Sequence, residues 1–198
     1  ELELLTKACD ITVLGHIEAM KYAKPEMFEY QVGAQMEKVF YEQGAERLGY
    51  PSIVASGDNA CILHYSTNRD QIKEGSLLLI DAAAEFGMYS SDVTRTFPVG
   101  TKFSSPQRDV YNAVLKSQIE GIEGVVEGNS MKNIHQQTIR SLSVISCFIE
   151  AVFGCQARHN QGVDLVAAHS RPCEFELSRP SSLVAVLHRD SRHQQVMR

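Results

Sequence analysis

The stretch Leu77–Phe97, LLLIDAAAEFGMYSSDVTRTF, decides the reading of this chain. Leu77–Ile80 is an apolar run of strand length, and Asp81 closes it. The chain turns at Gly87 and returns through a second acid, Asp92. A hairpin that sets residues 81 and 92 opposite each other has its centre between Phe86 and Gly87. Directly opposed residues project to one face with Cβ atoms about 4.5–5.5 Å apart, so the two carboxylates would converge on a single point. Unpaired like charges this close repel and raise one pKa. A divalent cation removes that penalty and takes oxygen ligands of this kind. The alternative is a pair of solvated strand-end acids, with Asp92 paired to Arg95, since acids are common beside turns. Spacing alone leaves both readings open.

Working outward, the upstream region reads as two helices. Glu1 to about Lys24 is amphipathic, with Leu4, Ala8, Ile11 and Gly15 on one face. A second helix follows Pro25: Val32, Met36, Val39 and Phe40 recur at helical spacing, and Gly44 sits where a helix-ending glycine belongs. The period then changes. Ser52–Ala55 reads as a strand, Gly57-Asp58-Asn59 as a turn, and Cys61–Tyr65 as a second strand. Downstream, Ser104 and Gln107 form a capping-box pattern that opens a third helix, Gly124–Asn129 breaks it, and a fourth runs from about Ser130 to Leu142. The fold class expected is α+β, a mixed antiparallel sheet with helices on one side.

Bulk properties narrow the function classes. A net charge of −5 argues against nucleic acid as the main partner. No apolar run approaches the roughly 20 residues of a membrane span, and no secretory or arginine-rich leader is present. Cys9, Cys61, Cys147, Cys155 and Cys173 form no metal-like spacing, and this odd, scattered set points to a reducing compartment. Each is expected to be a small buried hydrophobe. The chain opens without Met, in what reads as mid-helix, as a fragment or a processed chain would. Its character shifts near Ser143. All eight lysines lie at or before Lys132, whereas six of eleven arginines and four of seven histidines lie at or after Arg158. Residues 1–142 are therefore expected to be one folded portion, and 143–198 an atypical tail, disordered or frame-shifted.

The wording around the two aspartates is specific. VASGDNACILHYSTN (Val54–Asn68), LLLIDAAAEFGMYSSDVTRTFPV (Leu77–Val99), LELLTKACDIT near the start, PEMFEYQV and KFSSPQRDVYNAVL together resemble the aminopeptidase P (Xaa-Pro aminopeptidase) family of pita-bread metallopeptidases. The resemblance runs from about Leu4 to Leu142. It implies a partial pita-bread fold and a dinuclear site, with manganese, Mn²⁺, as the expected cofactor (two ions in a complete site) and Co²⁺ or Zn²⁺ as alternatives. On it, Asp81 matches the aspartate that holds one metal and Asp92 the aspartate that bridges both. His64 matches the histidine that lines the substrate pocket. A lone histidine at a strand end is more often structural, and the setting of His64, 17 residues before Asp81, is what gives it weight. The implied reaction is two-metal hydrolysis that removes the N-terminal residue from peptides with proline in second position. Thr94 and Arg95 are read as hairpin braces, Glu85 as a solvated turn acid, and Tyr65 and Tyr89 as packing residues.

The same resemblance calls for one more histidine and two glutamates. The nearest histidine segment, His159–Leu165, carries Val163 at the ligand position, and Glu174 and Glu176 lack the expected surroundings. The chain is thus expected to be a weak or inactive peptidase. A non-catalytic peptide-binding module of the same fold and a relative such as prolidase or methionine aminopeptidase are the alternatives. The partners expected are Xaa-Pro peptides, with no nucleic acid and no membrane, and a homo-oligomer is admissible. The compartment expected is cytoplasmic, with mitochondrial as the alternative.

Overall fold

The structure is a computed structural model and describes residues 1–100 and 102–143. The histidine echo at His159, the acids Glu174 and Glu176, and the atypical tail lie outside the described residues. The chain divides into two compact units, the first beginning at Glu1 and reaching Ser104, the second beginning at Ser105.

In the first unit, α1 (Leu2–Tyr22) and α2 (Glu29–Glu42) precede six strands: β1 (Arg47–Leu48), β2 (Ile53–Ser56), β3 (Leu77–Ala82), β4 (Ala84–Phe86), β5 (Tyr89–Ser90) and β6 (Val93–Pro98). Every ladder among them is antiparallel. One sheet runs β1-β4-β5 and the other β2-β3-β6. The expected α+β class and both upstream helices are therefore present. Ala8, Ile11, Gly15 and Ala19 line the buried face of α1, and Val32, Met36 and Phe40 that of α2. At Gly15 the helices approach so closely that a Cβ would overlap the Phe40 ring, which is why a glycine stands there. Gly44, with φ of 94°, follows α2 as a left-handed terminator. The core joins these helix residues to Val54, Leu78, Ile80, Ala82 and Phe97 of the β2-β3-β6 sheet. Along β3 burial alternates, so Leu78, Ile80 and Ala82 face the core while Leu77, Leu79 and Asp81 project to the other face.

The hairpin differs from its expected register. Asp81 lies opposite Thr94, and Phe86 pairs with Tyr89 across a Gly87-Met88 turn. The centre is one residue further on than the Phe86–Gly87 midpoint. Both turn residues have positive φ, 58° and 67°, as a tight two-residue hairpin turn requires. Methionine carries no signal for that conformation, and its side chain is 84% exposed. Asp92 therefore stands diagonal to Asp81 rather than opposite it. Since a two-residue shift preserves the alternation of faces, both acids still belong to one face.

Three further expectations are corrected. Cys61–Tyr65 is not a strand. A 3₁₀ turn (Gly57–Cys61) leads into a bend at His64, whose φ is 55°. Strand propensity in this segment yields to tertiary tethers from α2. Glu85 is not a solvated acid, because it pairs with Arg47 at 3.1 Å and its side chain is 16% exposed. Of the described cysteines, Cys9 is half-buried and Cys61 is exposed on the 3₁₀ turn, so the buried reading fails for Cys61.

The second unit contains α3 (Ser105–Glu123) and a helix over residues 131–143, joined by a turn at 124–130. Ser130 caps the second helix by accepting the Asn133 amide at 3.2 Å. The Ser117 hydroxyl donates to the Thr138 carbonyl at 3.1 Å, linking the two helices. No helix of the described residues is long and apolar enough to cross a membrane.

His16 of α1 is buried against β3. Its Nε2 stands 3.4 Å from the Ala82 carbonyl, and its Nδ1 has no partner among the described residues. Burial lowers its pKa to about 4, opposed by the Ala82 carbonyl and assisted by the charge of Arg95. Between that value and the ordinary 6.5 the unfolded chain binds a proton that the folded chain refuses. Stability should therefore fall as pH drops through this window, by up to roughly 3 kcal/mol. Urea unfolding of His16→Met should show a shallower decline over the same range, and parallel wild-type and variant curves would exclude His16 as the cause. At the turn, Met88→Asn should raise the urea midpoint by an amount worth about 0.5–1 kcal/mol, because asparagine tolerates positive φ.

Candidate metal centre

Asp81 ends the outward-facing row of β3, and Asp92 immediately precedes β6. Both are half-buried. Between β3 and β4 at Ala83, and between β5 and β6 at Ser91-Asp92, the ladder is interrupted, while the pairing on either side keeps one register. Thr12 of α1 fills the interruption. Its hydroxyl accepts the Ala84 amide at 2.8 Å and shares a 2.6 Å hydrogen bond with the Ser91 hydroxyl. The Ala83 carbonyl is taken by the Gly49 amide at 2.8 Å. The Ala84 amide and the Ala83 carbonyl thus find partners outside the ladder, while the Ser91 amide still reaches the Ala84 carbonyl at 3.3 Å.

The two carboxylates meet at a residue that sequence reasoning did not single out. The Tyr50 hydroxyl lies 2.5 Å from Asp81 Oδ1 and 3.1 Å from Asp92 Oδ1. A hydroxyl carries one proton, so Tyr50 donates to one oxygen at a time, and the shorter contact marks Asp81 as the principal acceptor. Tyr50 sits between β1 and β2, just ahead of Ile53, the residue that pairs with Asp81. A signal for it existed in Gly49-Tyr50-Pro51: a residue before proline is extended, and this one leads into the strand beside Asp81.

The electrostatics are those of two acids brought close together. Burial raises the pKa of Asp92 and the charge of Asp81 raises it further, against the lowering influence of the Tyr50 hydrogen bond. The Tyr50 hydroxyl is held firmly protonated, first by burial and then by its bond to Asp81. Half-buried oxygen donors converging on one point, with a like-charge penalty to relieve, suit a hard or borderline divalent cation. Among the described residues no group of three or more His, Cys, Asp or Glu side chains gathers around a common point. The donor set therefore fits a cation by its chemistry and supplies only part of a coordination shell.

His64, the third predicted residue, stands apart from this pair. It is exposed at the bend that follows the 3₁₀ turn, and among the described residues no hydrogen bond joins it to either aspartate. Thr94 faces Asp81 across the ladder, and the Arg95 guanidinium donates to the Thr94 carbonyl at 2.8 Å. Tyr65 is buried, as a packing residue should be, and also donates a hydrogen bond to Glu29 at 2.8 Å.

Comparison with known proteins places the chain in a family. Residues 3–173 match the model of metallopeptidase family M24. The chain is 49% identical over 140 residues to a Xaa-Pro aminopeptidase of Haemophilus influenzae, a match covering 71% of this chain and 33% of the relative. It is 39% identical over 140 residues to the Xaa-Pro aminopeptidase of Escherichia coli, covering 71% and 32%. Among solved structures, Pseudomonas aeruginosa aminopeptidase PepP superposes with a TM-score of 0.73 at 35% identity, over 85% of this chain and 37% of that one. A variant of E. coli aminopeptidase P in complex with substrate gives 0.74 at 34% identity, over 80% and 38%. The chain thus spans about a third of the length of the relatives it matches, and its α+β fold is that of the aminopeptidase P structures. By the extent of the family match and by the fold, this chain belongs to metallopeptidase family M24.

Proposed function

We propose that this chain carries part of a divalent-metal aminopeptidase site acting on peptides with proline in second position. The observation that carries the proposal is the convergence of Asp81 and Asp92 on the Tyr50 hydroxyl. Support comes from relatives named Xaa-Pro aminopeptidase and from a zinc-substituted E. coli aminopeptidase P in complex with product. In this reading Asp81 and Asp92 hold the metal, manganese by preference with cobalt or zinc as substitutes. The ions, when bound, polarise the scissile carbonyl and lower the pKa of water. The rest falls to the chain's own residues. Tyr50 orients Asp81 through its donated hydrogen bond and keeps the two carboxylates together. His64 presents its ring to solvent, where it can hold a proton against an incoming peptide. The working compartment in this reading is the cytoplasm.

A second reading keeps the fold and gives up catalysis: a module that binds proline-containing peptides. One observation favours it, namely that no third His, Cys, Asp or Glu completes the carboxylate pair among the described residues. The two readings separate on chelation. Peptide binding that survives removal of divalent ions supports the module, and binding that is lost supports the metal site.

The metal assignment is tested by titrating Mn²⁺ into the chain and following the free-ion electron paramagnetic resonance signal. Asp81→Ala should weaken binding at least about tenfold, since half of the described carboxylate donors are lost. Wild-type-like affinity in that variant would sink the assignment. Tyr50→Phe keeps both ligands and removes the group that orients them. It should weaken Mn²⁺ about tenfold with little change in the far-ultraviolet dichroism spectrum. Unchanged affinity would reduce Tyr50 to a packing residue.

A further inference from the structure

Glu29 is a fully buried carboxylate, and no cation pairs with it among the described residues. A charge removed from water without compensation is costly, so its surroundings must stabilise the anion. They do so in two ways. Glu29 is the first residue of α2, where exposed amides and the helix dipole favour negative charge. Five hydrogen bonds then reach its two oxygens. Oε1 accepts the Ser56 amide at 2.8 Å, the Ser56 hydroxyl at 2.8 Å and the Asn59 side-chain amide at 3.1 Å. Oε2 accepts the Tyr65 hydroxyl at 2.8 Å and the Asp70 amide at 3.1 Å.

All five donors come from one segment, Ser56–Asp70, and that segment carries His64 at a left-handed bend. A side chain rarely adopts this conformation unless its surroundings impose it. Apolar packing does not supply the constraint, because Ile62 and Leu63 are 55% and 80% exposed. Beyond the network the segment opens onto a cavity of about 280 Å³ lined by Asp58, Asn59, Asp70 and Lys73 among others. What holds the bend is polar. Tyr65, the residue after His64, is anchored by its hydroxyl on Glu29. Asn68 bonds the outer edge of β2, its Oδ1 accepting the Val54 amide at 2.9 Å and its Nδ2 donating to the Ser52 carbonyl at 2.8 Å.

We propose that Glu29 is a positioning residue: its buried carboxylate gathers the Ser56–Asp70 segment and, through Tyr65, fixes the bend that presents His64. The role rests on the reading of His64 as a peptide-facing group. Glu29→Gln replaces one acceptor oxygen by a donor NH₂; the Ser56 and Tyr65 hydroxyls can turn to accept from it, but one backbone amide, that of Ser56 or of Asp70, loses its acceptor whichever way the side chain turns. Tyr65→Phe is milder and removes the tether nearest His64 while leaving the carboxylate its other four partners.

The test uses the full 198-residue chain. It follows three quantities in wild type and both variants: the His64 ring resonances by nuclear magnetic resonance, amide hydrogen exchange, and Mn²⁺ affinity. Both variants should split or broaden the His64 resonances. In Glu29→Gln, exchange at Ser56 or at Asp70, whichever amide faces the new NH₂, should accelerate about ten- to hundredfold, with β3 amides such as Leu78 and Ile80 unchanged. Mn²⁺ affinity should stay within about twofold, because neither side chain touches Asp81 or Asp92. Single, sharp, wild-type-like His64 resonances in both variants would overturn the proposal. So would equal acceleration at β3, which would make Glu29 a general core group. If Glu29→Gln does not fold, Tyr65→Phe decides. Wild-type failure to bind Mn²⁺ would defeat the metal reading by itself and leave the His64 result to stand on its own.

Discussion

The arrangement of this chain depends on a two-residue turn. Gly87 and Met88 both adopt positive φ, and that sets the register of the whole Leu77–Pro98 hairpin. Register in turn decides which side chains share a face. With Phe86 opposite Tyr89, Asp81 falls opposite Thr94 and Asp92 falls on the same face, one step along the diagonal. A slip of a single residue would send one carboxylate into the core, where Ile80 and Ala82 now pack against the helices. The shared face of the two carboxylates follows from this register.

Helices complete what the hairpin begins. The interruption at Ala83 and at Ser91-Asp92 would leave backbone groups without partners in a buried setting. Thr12 and Gly49 supply those partners from outside the ladder. Asp92 can then leave strand geometry and reach the Tyr50 hydroxyl. The result, among the described residues, is a like-charge pair that shares the Tyr50 hydroxyl. Glu29 follows the opposite logic. It is also a carboxylate and more deeply buried, and its five donors and helix N-terminus leave it no need of a cation. The two acidic sites in one small unit differ in donor count, and that difference separates a structural anion from a candidate ligand pair.

Much of this was legible before the structure. Helical spacing marked the buried faces of α1 and α2. A continuous apolar run of strand length marked β3, and the hairpin spacing set the paired aspartates on one face. Two of the readings that failed did so for one physical reason. Cys61–Tyr65 has the composition of a strand, yet Tyr65 and Asn59 bond to Glu29 and the segment bends instead. Glu85 looks like a turn acid, yet Arg47, 38 positions earlier, folds against it across the β1–β4 pair. In each case a long-range polar contact outweighed a local preference.

The sequence by itself determined the two upstream helices and their buried faces, the Leu77–Pro98 hairpin, and the common face of Asp81 and Asp92. These follow from periodicities of 3.6 and 2, which are local and survive a two-residue error in register. Only the tertiary structure decided where the hairpin turns, that Tyr50 closes the carboxylate pair from 31 and 42 positions away, and that Glu29 commands the segment bearing His64. Those contacts join residues with no shared periodicity. They exist only once ladder register and helix docking have brought distant polar atoms within hydrogen-bond distance, where burial makes each of them costly to leave unpaired.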